Sequence, residues 1–243
     1  SSHPNKAIQT FSQQSPTRCI YDKSKYPNND SSGSTFVCSL VIKGWIVLLN
    51  IGDSCAIVTE NSKIVSYTLD HKPNNSIEKL RITESGSFVK YGRVNGDLAV
   101  SRAFCDWQFK NLESSREKHA VSAEPDVYII ETKDGKEYKI YLICDGVTDV
   151  LRNEFIADPS KYSEVEQNSM AGTRDEKTTK ILEENIAAKL IDKAFQYGST
   201  DNISAVIITF GHSEIEIPEI VSTSDGEVTP ECVILTNLEE VTP

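Results

Sequence analysis

Residues 35–69 hold four strand-length apolar runs in close succession: "TFVCSLVI" (35–42), "WIVLLNIG" (45–52), "SCAIVTE" (54–60) and "KIVSYTL" (63–69). They are rich in β-branched and aromatic residues, and only one or two residues separate each from the next. Breaks that short leave room for tight turns and nothing more. The runs therefore read as consecutive antiparallel strands, with Lys43-Gly44 as a hairpin turn. A further pair, 126–132 and 137–144, flanks Asp134-Gly135 and reads as another hairpin, and "SAVIITFG" (204–211) reads as a last core strand. Two stretches have helical character. "NSIEKLRITESG" (75–86) carries Asn75 as a cap with Glu78 three residues on, and Gly86 ends it. Between 175 and 199, apolar residues at 181, 182, 186, 190, 191, 194 and 195 keep a helical period that stops at Gly198. Runs of strands followed by a helix and a final strand predict an α+β fold of antiparallel sheets packed with helices.

Outside this body the composition changes. Residues 1–34 are polar, with "KAIQTF" as a short helical start and "KYPNNDSSGS" as a loop. Residues 151–174 read as loop with short helix. Residues 212–243 carry eight acids and no Lys or Arg, with "CVILT" (232–236) as a strand candidate. The net charge of −11 is concentrated there, because in residues 1–211 only 28 acids face 25 bases. The division expected is a polar N-terminal segment (1–34), a folded domain (35–211) and an acidic extension (212–243). This charge distribution offers no basic footprint for nucleic acid. No apolar run reaches the roughly 18 residues of a membrane span. The six cysteines form no CxxC pair, which fits free thiols in a reducing compartment, the cytoplasm or nucleus.

Four acids stand at the ends of apolar runs. Asp53 follows "WIVLLNIG", Asp145 and Asp149 follow "KIYLIC", and Asp201 lies in "GSTDN" before the last strand. Singly, each fits a turn or a helix cap. Together, carboxylates at converging strand ends suit hard divalent cations such as Mg²⁺ and Mn²⁺, which take oxygen ligands and keep waters.

Seven motifs occur in order across residues 31–210: "SSGSTF" (31–36), "NIGDSCA" (50–56), "LDHKP" (69–73) with Glu78, Arg81 and Ile82, "GRVNGDLAVSRAFCD" (92–106), "SAEPDV" (122–127), "CDGVTDV" (144–150) and "GSTDNIS" (198–204). Through them the chain resembles the type 2C metal-dependent Ser/Thr protein phosphatases. The resemblance implies an antiparallel β-sandwich flanked by helices, with 35–211 as a partial catalytic domain. It implies two Mg²⁺ or Mn²⁺ ions, with Asp145 and Asp201 as their ligands. Asp53 and Asp149 correspond to a third, weaker metal site. The activity implied is hydrolysis of phosphoserine and phosphothreonine in proteins by a metal-activated water, without a covalent enzyme intermediate.

The resemblance also has gaps. The family's Asp-Gly-His-Gly-Gly strand, which carries further ligands and a His, has no counterpart here: none of the pairs Asp134-Gly135, Asp145-Gly146 and Asp225-Gly226 precedes a His. The sandwich is therefore expected to lack its N-terminal strands and to expose a sheet edge. Cys55, Cys105 and Thr148 replace the family's usual Arg, Gly and Trp. These departures keep a second reading open, an inactive pseudophosphatase that serves as an interaction scaffold. The acidic tail and the open edge are its partner surfaces. Arg102 and Lys110 are candidates to meet phosphate, Arg102 is rather expected to pair with a carboxylate such as Asp97 or Asp106, and His71 is expected to fix a loop. Residues 86–97 resemble the family's flap.

Overall fold

A computed structural model describes residues 32–110, 118–162, 185–211 and 220–222. Two antiparallel sheets form its centre. The smaller has the order β2-β3-β9, built from β2 (Phe36–Ile42), β3 (Trp45–Ile51) and β9 (Asp126–Glu131). The larger has the order β12-β11-β10-β4-β5, built from β4 (Cys55–Glu60), β5 (Lys63–Tyr67), β10 (Tyr138–Ile143), β11 (Ser204–Phe210) and β12 (Ile220–Ser222). Side-chain alternation divides the core into two layers. Ile46 and Leu48 of β3 meet Ala56 and Val58 of β4 and Tyr138 and Ile140 of β10. The opposite residues of the same strands, Cys55, Ile57, Tyr141 and Ile143, pack against the helix Ile186–Gln196 through Ala187, Ala188, Leu190, Ile191 and Ala194. Strand β4 is buried on both faces, which explains its unbroken apolar sequence.

The expected hairpins at 43–44 and 61–62 are present as the pairs β2·β3 and β4·β5. Two other expectations are corrected. β3 and β4 do not pair. The chain leaves one sheet for the other at Gly52, whose φ of +100° is a left-handed value that suits glycine. The segments 126–132 and 137–144 are not a hairpin either. β9 pairs with β3, whereas β10 lies between β4 and β11. The Asp134-Gly135 turn exists, but it bridges the sheets. Both segments are apolar, yet β9 alternates in exposure while β10 is covered by the second sheet on one side and by the long helix on the other. Burial of both faces decides the pairing, and a turn dipeptide carries no information about it.

The first helix, α1 (Ser76–Glu84), begins after Asn75 as expected, but not by the expected cap. The Asn75 side chain makes no cap bond; its amide donates to the Asp70 carbonyl at 2.7 Å. Short helices α2 (Asp145–Thr148) and α3 (Asn153–Ile156) follow β10, and Ile186–Gln196 is α4. Asn185 caps α4 by accepting from the Ala188 amide. The flap-like residues form a small hairpin of β6 (Val89–Lys90) and β7 (Arg93–Val94). Expectations for 1–31, for Ile181 and Leu182 and for "CVILT" lie outside the described residues, as does most of the acidic extension. Its residues 220–222 pair with β11. No helix among the described residues is long and apolar enough to cross a membrane.

One departure leaves a measurable trace. Cys105, in β8 (Phe104–Cys105) opposite β1 (Gly33–Ser34), has φ +56°. Non-glycine residues pay about 1–2 kcal/mol in that region. Cys105→Gly is therefore expected to raise stability by about 1 kcal/mol after the added chain entropy of glycine. Urea unfolding of the variant checks this, and a lower midpoint contradicts it.

Candidate metal and phosphate site

The register of the larger sheet gathers the acids. β10 runs antiparallel to both neighbours, pairing Ile143 with Cys55 on one side and with Ala205 on the other. The C-terminal end of β10, where Asp145 follows, thus lies beside the starts of β4 and β11, which Asp53 and Asp201 precede. One turn of α2 then sets Asp149 after Asp145, whose carbonyl accepts the Asp149 amide at 2.8 Å. Close backbone packing holds the two loops together. A Cβ on Gly146 would stand 2.2 Å from the Asn202 carbonyl oxygen and 3.5 Å from Asp201 Cβ, so the position admits only glycine.

The four predicted acids do not share one environment. Asp53 is buried and bound by Lys72, with Nζ 2.5 Å from Oδ2. Asp145 Oδ1 accepts the Gly146 amide at 2.9 Å, and Asp201 Oδ1 accepts the Asn202 amide at 2.7 Å. Asp149 is exposed. Burial, followed by the charges of Asp53, Asp201 and Asp149, pushes the Asp145 carboxyl above the usual range. Like charges coupled in this way favour a bound cation.

Two acids that sequence reasoning missed belong to this region. Asp70, of the quoted "LDHKP", has its carboxyl raised to about 6 by burial and by the charges of Asp53, Asp149 and Asp145, against the opposing charge of Lys72. An acid raised on folding weakens the fold once it ionises. The metal-free protein should therefore lose stability between about pH 4 and pH 6. Asp70→Asn is expected to gain on the order of 1–2 kcal/mol at pH 7 and nothing near pH 4. Thermal melts in EDTA across that range check this, and a gain independent of pH contradicts it.

Glu78, read above as the partner of a cap, is instead the buried centre of a charge network. Its carboxylate accepts from Ser101 Oγ at 2.6 Å and from Arg102 Nη2 at 2.7 Å, and lies 2.8 Å from Arg81 Nη2. Arg102 reaches on to Asp126 at 2.7 Å, so its carboxylate partners are Glu78 and Asp126 rather than Asp97 or Asp106. His71 does fix a loop. Its Nδ1 accepts the Gly52 amide at 2.9 Å, its own amide donates to the Gly52 carbonyl, and its Nε2 faces Asp126 at 3.3 Å. An accepting Nδ1 places the proton of the neutral ring on Nε2. Burial, aided by the Arg102 charge, lowers the pKa of the ring and keeps it neutral. Lys110 donates to the carbonyls of Ala103 and Val121 at 2.8 Å each, and burial lowers it to about 8. It ties two loops together in the described structure.

The acids at this sheet end fit a hard divalent cation, because they offer oxygen donors and an excess of negative charge. Among the described residues no three His, Cys, Asp or Glu side chains are grouped as a metal cage. A resident ion held by these residues would rest on one or two carboxylates and on waters, a common arrangement for Mg²⁺.

The comparisons agree with the motifs. The family model "Protein phosphatase 2C" matches residues 3–203. Protein phosphatase 1A of Bos taurus is 35% identical over 197 residues, covering 81% of this chain and 48% of its own length. Protein phosphatase 1B of Mus musculus is 36% identical over 185 residues, covering 76% and 44%. The chain spans about half the length of these relatives. A crystal structure of a phosphatase from Toxoplasma gondii superposes with a TM-score of 0.55 at 30% identity, covering 74% of this chain and 52% of that one. A Caenorhabditis elegans sex determining protein gives 0.57 at 26% identity, covering 73% and 40%. With antiparallel sheets of the same type and motifs in the same order, the chain belongs to the protein phosphatase 2C family.

Proposed function

We propose that the intact protein is a metal-dependent phosphatase acting on phosphoserine and phosphothreonine in proteins, located in the cytoplasm or nucleus. The observation that carries this reading is the convergence of Asp53, Asp145 and Asp201 at one end of the larger sheet, where burial, followed by its neighbours' charges, raises Asp145. Asp145 and Asp201 would hold Mg²⁺ or Mn²⁺ at the two main positions, and Asp149 with Asp53 would bias a third, weaker one. Bound divalent metal supplies a water of lowered pKa and offsets charge on phosphoryl oxygens. The chain's own part is positional. The Gly146–Asn202 contact fixes the spacing of the two main carboxylates. The His71–Gly52 bonds fix the corner that bears Asp53, and Lys72 restrains that carboxylate.

The test is phosphate release from a phosphoserine peptide by the full-length protein in Mn²⁺. Release that stops in EDTA and returns with Mn²⁺ is the expected result. Release indifferent to EDTA overturns the metal dependence. No release under either condition overturns the enzyme reading in favour of the scaffold.

A further inference from the structure

Cys55 and Thr148, two positions where this chain carries smaller residues than the motifs imply, line the same cleft of about 360 Å³. That is the size of a ligand site, roughly 300–1,000 Å³. Its buried floor is Cys55, Thr68 and Leu151, with Asp70 half-buried beside them. Among the described residues the Asp70 carboxylate accepts no hydrogen bond and closes no ion pair, and the nearby Lys72 ammonium is taken by Asp53. At the exposed mouth Arg152 and Glu154 balance in charge, so the cleft keeps the negative charge of Asp70. Tyr67, 46% exposed, adds an aromatic surface. A cleft that pairs an unpartnered carboxylate with an aromatic ring fits a guanidinium, which binds carboxylates through charge-assisted bonds and stacks on ring faces.

We propose that this cleft is a subsite for a basic side chain of the substrate, an arginine flanking the phosphorylated residue, seated on Asp70. The inference rests on the phosphatase reading for the identity of the occupant. The cleft adjoins the metal-binding end, since Thr148 immediately precedes Asp149. Asp70 itself feels the charges of Asp53, Asp149 and Asp145, so a peptide with its phosphoryl group at those carboxylates would bring a flanking residue toward the cleft. The position where the motif places an arginine is Cys55, so the protein leaves open a space that a substrate's guanidinium fills.

Two arms test this on the full-length protein. In the first, N-acetylarginine methylamide is titrated into ¹⁵N-labelled protein. Saturable shifts are expected at the amides of Thr68, Leu69, Thr148 and Leu151. They should be absent with the alanine analogue and lost in both Asp70→Asn and Thr148→Trp. No shifts there, or shifts that persist in both variants, overturn the subsite. This arm needs no catalysis and stands if the phosphatase reading fails. In the second, two phosphoserine peptides differ by one flanking Arg or Ala. The Arg peptide is expected to have a kcat/KM higher by about five-fold, carried by KM, and the ratio should fall to about one in Cys55→Arg. Equal values in the wild type overturn the substrate as the source of the guanidinium. Hydrolysis of neither peptide overturns the phosphatase reading, and the titration then decides whether the cleft binds guanidinium.

Discussion

Glu78→Ala is expected to lower the stability of the folded chain by about 3–5 kcal/mol, the cost of leaving buried charges without their partner. The side chain is only 4% exposed, and three groups converge on it: Ser101, Arg81 and Arg102. Each was desolvated on folding, and the variant leaves two guanidiniums facing the space it vacates. The consequences extend to the acidic end. The Ser101 backbone amide donates to the His71 carbonyl at 2.8 Å, and His71 holds Gly52, the residue before Asp53. The variant is therefore expected to lose activity as well as stability. The same network predicts an acid limit. Burial acts to raise the Glu78 carboxyl, but hydrogen bonds from Arg102, Arg81 and Ser101 outweigh it and hold the group at about 2, against 4.5 for the free side chain. A folded pKa below the unfolded one gives stability that is complete above about pH 4.5 and lost as pH falls toward 2, worth about 3 kcal/mol. Urea titrations of Glu78→Ala and the wild type, at pH 7 and pH 3, measure both effects. A loss under about 1 kcal/mol at pH 7, or an equal loss at both pH values, contradicts the account.

If Asp145 holds the metal as proposed, Asp145→Asn is expected to reduce Mn²⁺-dependent phosphate release by at least about 100-fold, because it would remove a carboxylate from the coordination of that metal. The variant should fold well. Asparagine retains the oxygen that accepts the Gly146 amide and sheds a charge that Asp53, Asp201 and Asp149 oppose. Lost activity with undiminished metal-free stability separates a functional carboxylate from a structural one. Near-wild-type turnover removes Asp145 from the site.

The strands were legible because their apolar runs match the strand period and length, and the acids at their ends were legible because a charge after a buried run needs a reason. The association of Asp53, Asp145 and Asp201 is harder to read. It depends on β10 lying between β4 and β11, a long-range pairing. The nearest turn signal, Asp134-Gly135, pointed to β9 instead. Glu78 was misread because Asn-x-x-Glu is also the pattern of a helix start. Only the tertiary placement of Arg102 and Ser101 shows the carboxylate turned inward. Asp70 went unassigned because its neighbours in sequence, His71 and Lys72, serve other elements, while the acids that raise it come from two other segments, Asp53 and the pair Asp145 and Asp149. Cys105 was legible as a departure, and its cost became readable with its backbone angle.

The central claim is that the carboxylates at this sheet end are arranged for a divalent cation. Melting of the wild type and Asp145→Asn, each in EDTA and in Mn²⁺, tests it most directly. The predicted result is a reversal. In EDTA the variant melts at or above the wild type, and in Mn²⁺ the wild type rises above the variant, which barely moves. An equal rise in both proteins, or no rise in either, contradicts the claim.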